Sequence, residues 1–125
     1  MTGRGFESLD VYARAYALAL EVHKASLGFP QIEQFALADQ MRRGSKSICA
    51  NIAEGFARQR SAGADYRRFL TMATGSADEM QVWCAFARDL GYLDEEIADM
   101  WRASFEEISK MLNGLSRAWS RNQRI

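Results

Sequence analysis

Gln40, Arg43, Ser47, Asn51 and Glu54 follow one another at spacings of three, four, four and three. On a helix that spacing draws an amide, a guanidinium, a hydroxyl, a second amide and a carboxylate into one stripe, where their donors and acceptors can satisfy one another. A solvated helix edge more often carries lysine and glutamate. The stripe therefore fits either such an edge or a half-buried hydrogen-bond network, inside a bundle or at a subunit contact, of the kind that fixes register. The other reactive residue types are scattered. Ser45, Ser47 and Ser76 have no histidine at a readable spacing, and His23 is the only histidine, so a nucleophile–base pair is not expected. The carboxylate pairs Asp78-Glu79 and Glu106-Glu107 are adjacent in sequence and would point to different sides of a helix. Neither a Glu-x-x-His motif for a di-metal bundle nor a CxxC for zinc is present. Cys49 and Cys84 are expected as reduced, small apolar residues and His23 as a partly exposed helix-end residue. The expectation is a protein with no catalytic residue, no metal and no cofactor, hence not an enzyme.

The elements that must carry the stripe are helical throughout. The chain has 125 residues, 48% of them hydrophobic, and its only proline is Pro30, so one core and long helices are both allowed. Apolar periodicity predicts helices from Leu9 to Leu27, Ile32 to Arg58, Ala64 to Leu90 and Asp94 to Ala118, with Gly28-Phe29-Pro30 and Gly91 as breaks. The predicted core rows are Leu9, Tyr12, Tyr16 and Leu20 on the first helix and Leu37, Met41, Gly44, Ile48 and Ile52 on the second. The third adds Tyr66, Phe69, Ala73, Ser76, Met80, Trp83, Ala87 and Leu90, and the fourth Ile97, Trp101, Ser104, Ile108, Met111 and Leu115. Short connections make neighbours antiparallel, so the fold class is all-α, an up-down-up-down four-helix bundle forming a single domain over residues 1–125. Small residues at Gly44, Ala73 and Ser76 would let the second and third helices approach closely. With no apolar run of membrane-spanning length and no apolar core behind the first arginine, the cytoplasm is the expected location.

Net charge is zero, which excludes a generally basic nucleic-acid binder, yet the four-helix topology would segregate the charges axially. One end would gather Arg4, Arg58, Arg60, Arg67, Arg68, Arg117, Arg121 and Arg124 against Glu7, Asp10, Glu54 and Asp65. The opposite end would hold Glu33, Asp89, Asp94, Glu95, Glu96 and Asp99 against Lys24, Arg88 and Arg102. Helix-end preferences account for part of this. The rest would give a phosphate-contacting face if several copies stood side by side, and arginine suits bidentate phosphate contact.

The run from Gln40 to Gly55, and its Asn51-Ile-Ala-Glu-Gly55 segment above all, resembles the 23S rRNA-intervening-sequence proteins, often called simply four helix bundle proteins. Phe69-Leu70, Ala73-Thr-Gly-Ser76 with Glu79, and Leu90-Gly-Tyr92 are similar to the family's later blocks. The resemblance implies a ring-like homo-oligomer, a pentamer, without established enzymatic activity. Similar bundles accompany diversity-generating retroelements, which implies RNA, DNA or a reverse transcriptase as partner. Cys49 stands where the family commonly has proline, so the bend expected in relatives is in question here, and Gly44-Ser45-Lys46 is more polar than usual.

Together these features lead to a non-enzymatic scaffold or adaptor that contacts RNA, DNA or a nucleic-acid enzyme through Arg58, Arg60, Arg67, Arg68, Arg117, Arg121 and Arg124. The alternative is a protein–protein interaction module with no nucleic-acid binding. Aromatic residues such as Trp83, Trp101, Trp119, Phe86 and Phe105 exceed what a thin bundle readily buries, which favours subunit contacts. If the turn between the second and third helices is centred near Ser61, Arg43 falls opposite Glu79, Ser47 beside Ser76, Asn51 near Thr71 and Glu54 level with Arg68. That register predicts a partly buried Arg43–Glu79 ion pair.

Overall fold

The apolar periodicity breaks where the chain turns, and between the breaks run four long helices. The computed structural model describes residues 5–122. Its helices are α1 (Asp10–Ser26), α2 (Leu37–Ala57), α3 (Gly63–Asp89) and α4 (Glu95–Asn122), with single 3-10 turns at Phe6–Ser8 and Gln31–Glu33. No strand occurs among the described residues. α2 and α4 both lie along α3, and α1 rests mainly on α2 with lighter contact to α4. The architecture is the up-down-up-down bundle. Met41, Ile48, Ala73, Met80, Phe105 and Leu112 are fully inaccessible at its centre, each large side chain contributing about 1.5–3 kcal/mol of burial.

Two helix ends differ from expectation. Pro30 holds an extended backbone and a 3-10 turn follows, so α2 begins at Leu37. Glu33 Oε1 then accepts a hydrogen bond from the Leu37 amide at 3.2 Å, satisfying a donor that the first turn leaves free. At the far end α4 continues to Asn122. Gly91 closes α3 as expected: its φ of 83° is the left-handed region that glycine occupies without strain, and the Tyr92 amide turns back to the Ala87 carbonyl at 2.8 Å. α2 runs unbroken through Cys49.

The core rows need more correction than the helices. On α1 the buried residues are Val11, Ala15, Leu18, Ala19, Val22 and Ser26, while Tyr16 and Leu20 are exposed. α1 carries two rows with helical spacing, and the one with Ala15 and Ala19 faces inward because small side chains let α1 settle onto α2. On α3 the inward row is Tyr66, Leu70, Ala73, Ala77, Met80, Cys84 and Ala87. Phe69, Ser76 and Trp83 flank it and Leu90 is exposed. α4 is likewise turned, burying Ala98, Trp101, Phe105, Ile108, Ser109 and Leu112. Trp101 and Phe105 are thus core residues, whereas Phe86 remains 52% exposed.

The α2–α3 contact is where sequence and packing agree best. A Cβ on Gly44 would lie 2.8 Å from Met80 Sδ, and one on Gly55 would lie 3.1 Å from Phe69 Cβ and 3.3 Å from the Tyr66 carbonyl oxygen. Met80 presents a flexible thioether that can swing aside, while Gly55 faces backbone. Gly55→Ala is therefore expected to lose about 1–3 kcal/mol as overpacking. At Gly44 the better helix propensity of alanine, about 1 kcal/mol, offsets most of the strain. Urea unfolding of both variants checks this, and equal tolerance at the two sites would contradict the close-approach account.

Candidate nucleic-acid interface

The α2 stripe separates by depth. Ser47 and Asn51 are half-buried; Ser47 Oγ meets Ser76 Oγ across the helix pair at 3.1 Å, and Asn51 Nδ2 donates to the Ser47 carbonyl at 2.9 Å and to Ser47 Oγ at 3.1 Å. The Ser47–Ser76 contact confirms the expected register. Gln40, Arg43, Glu54 and Glu79 are exposed, and Gly55 is buried beneath Tyr66 and Phe69.

The Arg43–Glu79 pair does not form. Arg43 has its side chain 80% exposed and meets Asp39 one turn earlier on its own helix, at 3.7 Å. Its position on the outward side of the stripe makes the local i, i+4 partner closer than the other helix. Glu54 likewise pairs with Arg58 at 2.6 Å rather than with Arg68. The guanidinium that is partly buried is the adjacent one. Arg42 donates to Ser26 Oγ at 2.9 Å, to Gln34 Oε1 at 3.3 Å and to the Gln34 carbonyl at 2.7 Å, while Gln34 Nε2 donates to the Ser26 and Phe29 carbonyls at 3.0 Å each. This ties the α1–α2 connection to α2 with neutral oxygens alone. Periodicity could not single out Arg42; the signal was the pair of polar residues, Ser26 and Gln34, bordering a short connection.

At the end shared by the α2–α3 turn and the α4 C-terminus, the arginines form two groups. Arg58 and Arg68 each place Cζ 4.8 Å from the centroid of the Phe69 ring and also face Glu54 and Asp65, so their charge is largely engaged. Arg67, Arg117 and Arg121 are exposed and, with Ser116 and Ser120, surround a concavity of about 320 Å³ between α3 and α4. None of the three has a carboxylate within ion-pair distance among the described residues. Helical spacing explains the grouping: Arg117 and Arg121 are one turn apart, and Arg67 lies on the side of α3 turned to α4. Beside them Trp119 packs at a tilt against Tyr66, 5.8 Å between ring centroids, and covers Gly63, where a Cβ would collide with the indole. Arg60 is exposed in the turn, and Arg124 lies outside the described residues.

The opposite end is internally neutralised in part. Arg88 bridges Asp89 at 2.9 Å and Asp99 at 2.7 Å, and the Arg88 hydrogen bond holds the Asp89 carboxyl below its usual range. Tyr92 donates to Glu33 Oε2 at 2.8 Å. Burial pushes the Cys49 thiol up to about 11 and the Cys84 thiol to about 12, Arg102 opposing the latter shift, so neither is a ready thiolate. His23 is half-buried with Nδ1 3.1 Å from Lys46 Nζ. Among the described residues, no three His, Cys, Asp or Glu side chains gather as metal ligands, and no helix is long and apolar enough to cross a membrane.

The fold and site thus define a four-helix bundle with an arginine-lined end. Within that class the chain belongs to the 23S rRNA-intervening sequence protein family, whose sequence profile matches residues 7–114. It is similar in fold to the crystal structure of a protein of unknown function from the S23 ribosomal protein family of Bacteroides thetaiotaomicron. The two share a TM-score of 0.76 and 23% identity over 86% of this chain and 95% of that one. No curated protein matches.

The contrast between neighbouring arginines is directly measurable. Arg42→Ala leaves Ser26 and Gln34 without their donor and is expected to lose about 1.5–3 kcal/mol, the range for hydrogen bonds to a charged group. Arg43→Ala removes only an exposed pair and should change stability by about 0–1 kcal/mol. Denaturant titrations of the two variants read the difference.

Proposed function

We propose that this chain is a non-enzymatic, cytoplasmic scaffold that assembles as a homo-oligomer, a pentamer, and holds RNA or DNA, alone or with an enzyme that acts on it, against its arginine-lined end. The observation that carries the reading is the concavity formed by Arg67, Arg117 and Arg121. Three guanidinium groups without carboxylate partners among the described residues converge on one recess, and bidentate forks of that kind suit phosphate oxygens. The neighbouring serines add hydroxyl donors at the same rim. A single zero-charge chain would bind phosphates weakly; several copies with their arginine ends on one face would multiply the attraction and lengthen the contact. Backbone contact of this kind positions a nucleic acid without reading its sequence.

Fluorescence-anisotropy titration of the assembled protein with a generic RNA and a generic DNA tests the reading. Affinity should fall about tenfold or more between about 50 and 200 mM salt, with a log–log slope near −0.9 for each phosphate contacted on duplex. Arg67→Glu combined with Arg117→Glu should flatten that slope and weaken binding at least about tenfold, while Arg43→Glu on the other side of the bundle should not. Absence of binding by the unaltered protein at low salt would instead favour a module that recognises only proteins.

A further inference from the structure

We infer that the assembly is built from two unlike faces of this chain, the apolar groove between α1 and α2 of one copy receiving the outer stripe of α3 from the next, with the two bundles parallel. The inference rests on the homo-oligomer reading above and assigns its surfaces. The groove has a volume of about 550 Å³, with walls of Tyr12, Tyr16, Leu20, Cys49 and Ala50, and ends at His23 and Lys46. On the α1 side Tyr16 and Leu20 are 51% and 44% exposed, while Tyr12 is half-buried against the core.

The matching surface is on α3. Met72, Gly75, Glu79, Val82, Phe86 and Leu90 recur at spacings of three, four, three, four and four, the seam of a helix that has a second helical neighbour. Met72, Val82, Phe86 and Leu90 are exposed large apolar side chains. Gly75, in mid-helix, has nothing within 4 Å of where a Cβ would stand, so no contact among the described residues explains it. A close approach by another copy would.

The two surfaces also lie at matching heights. Ser47 touches Ser76, and Lys46 touches His23, so these four residues form one layer across α1, α2 and α3. A closed ring with its axis along the bundle rotates copies without translating them, so layers of neighbouring copies coincide. In that arrangement Met72, about 6 Å below Ser76 along the helix, comes level with Cys49 and Leu20. Glu79, about 4.5 Å above Ser76, stands within one turn of Lys46 and His23. Neither Lys46 nor Glu79 has an ion-pair partner among the described residues, so the charges are complementary where the layers meet. Higher up, Val82, Phe86 and Leu90 rise to the level of the exposed Leu27, Ile32 and Phe35. Because the two faces flank α2, each added copy turns the same way. Unlike faces that repeat one turn without a rise form a ring once the rotations complete a circle.

Leu20→Glu disables the groove and Phe86→Glu the stripe, at positions too exposed to be needed for folding. Light scattering should find each variant alone as a monomer of the 14.1 kDa chain mass with unchanged helical circular dichroism. Mixed in equal amounts, they should form a heterodimer of twice that mass, since each retains one working face. Failure of the mixture to pair, or a variant that assembles like the unaltered protein, overturns the assignment of faces and leaves homo-oligomerisation standing. An unaltered protein that is itself monomeric overturns both.

Discussion

The close approach of α2 to α3 sets the dimensions of the whole molecule. Gly44 and Gly55 remove side chains at two heights of the contact, and the Ser47–Ser76 hydrogen bond pins the height between them. Once those helices are in register, the α2–α3 turn has a fixed place, and with it the starting point of α3. Arg67 then falls on the side of α3 that faces the last turns of α4, which bring Arg117 and Arg121 to the same recess. A slip of one residue would rotate every α3 side chain by about 100° and scatter that group. The arginine end is therefore a consequence of the packing of small residues at the α2–α3 contact, some distance away.

Helix existence and topology were legible because alternating spacings of three and four, one proline and well-placed glycines leave few other solutions. The choice of inward face was not. On α1 both Val11-Ala15-Leu18-Val22 and Tyr12-Tyr16-Leu20 satisfy helical periodicity, and sequence spacing cannot say which one meets the core. Volume decides: the narrow layer above α2 accepts alanine and valine, Tyr12 packs at its edge and Tyr16 is left outside. The same ambiguity misplaced the partly buried guanidinium by one residue. Arg42 and Arg43 differ by about 100° on the helix, enough to send one to Ser26 and Gln34 and the other to solvent. Ser47 and Ser76, by contrast, were readable as a pair because antiparallel register follows from turn position alone.

Charge balance in this chain is local and organised by height. Exposed i, i+4 pairs such as Arg58–Glu54 contribute little stability and mainly withdraw charge from the surface. Among the described charges without such partners are the Arg67, Arg117 and Arg121 group at one end and, at mid-height, Lys46 on the α1 side and Glu79 on the α3 side. The first group is suited to phosphate, and the second pair to another copy. The two proposed uses would support each other, because parallel copies are the arrangement that brings all the arginine recesses to one face. Most of the large apolar residues left outside the core fall in one band beside α1 and another along α3, with Ile97 and Met100 on α4 apart from both.

The central claim is that neighbouring copies stand parallel and at the same height, and one disulfide tests it. In a Met72→Cys variant, the new thiol should lie level with the native Cys49 of the next copy. Because burial raises the Cys49 thiol to about 11, oxidation is best run at raised pH with a catalyst. The account predicts covalently linked chains on a denaturing gel, abolished when Cys49 is also changed to Ser. An intact assembly without linked chains, or linked chains that persist without Cys49, would contradict it.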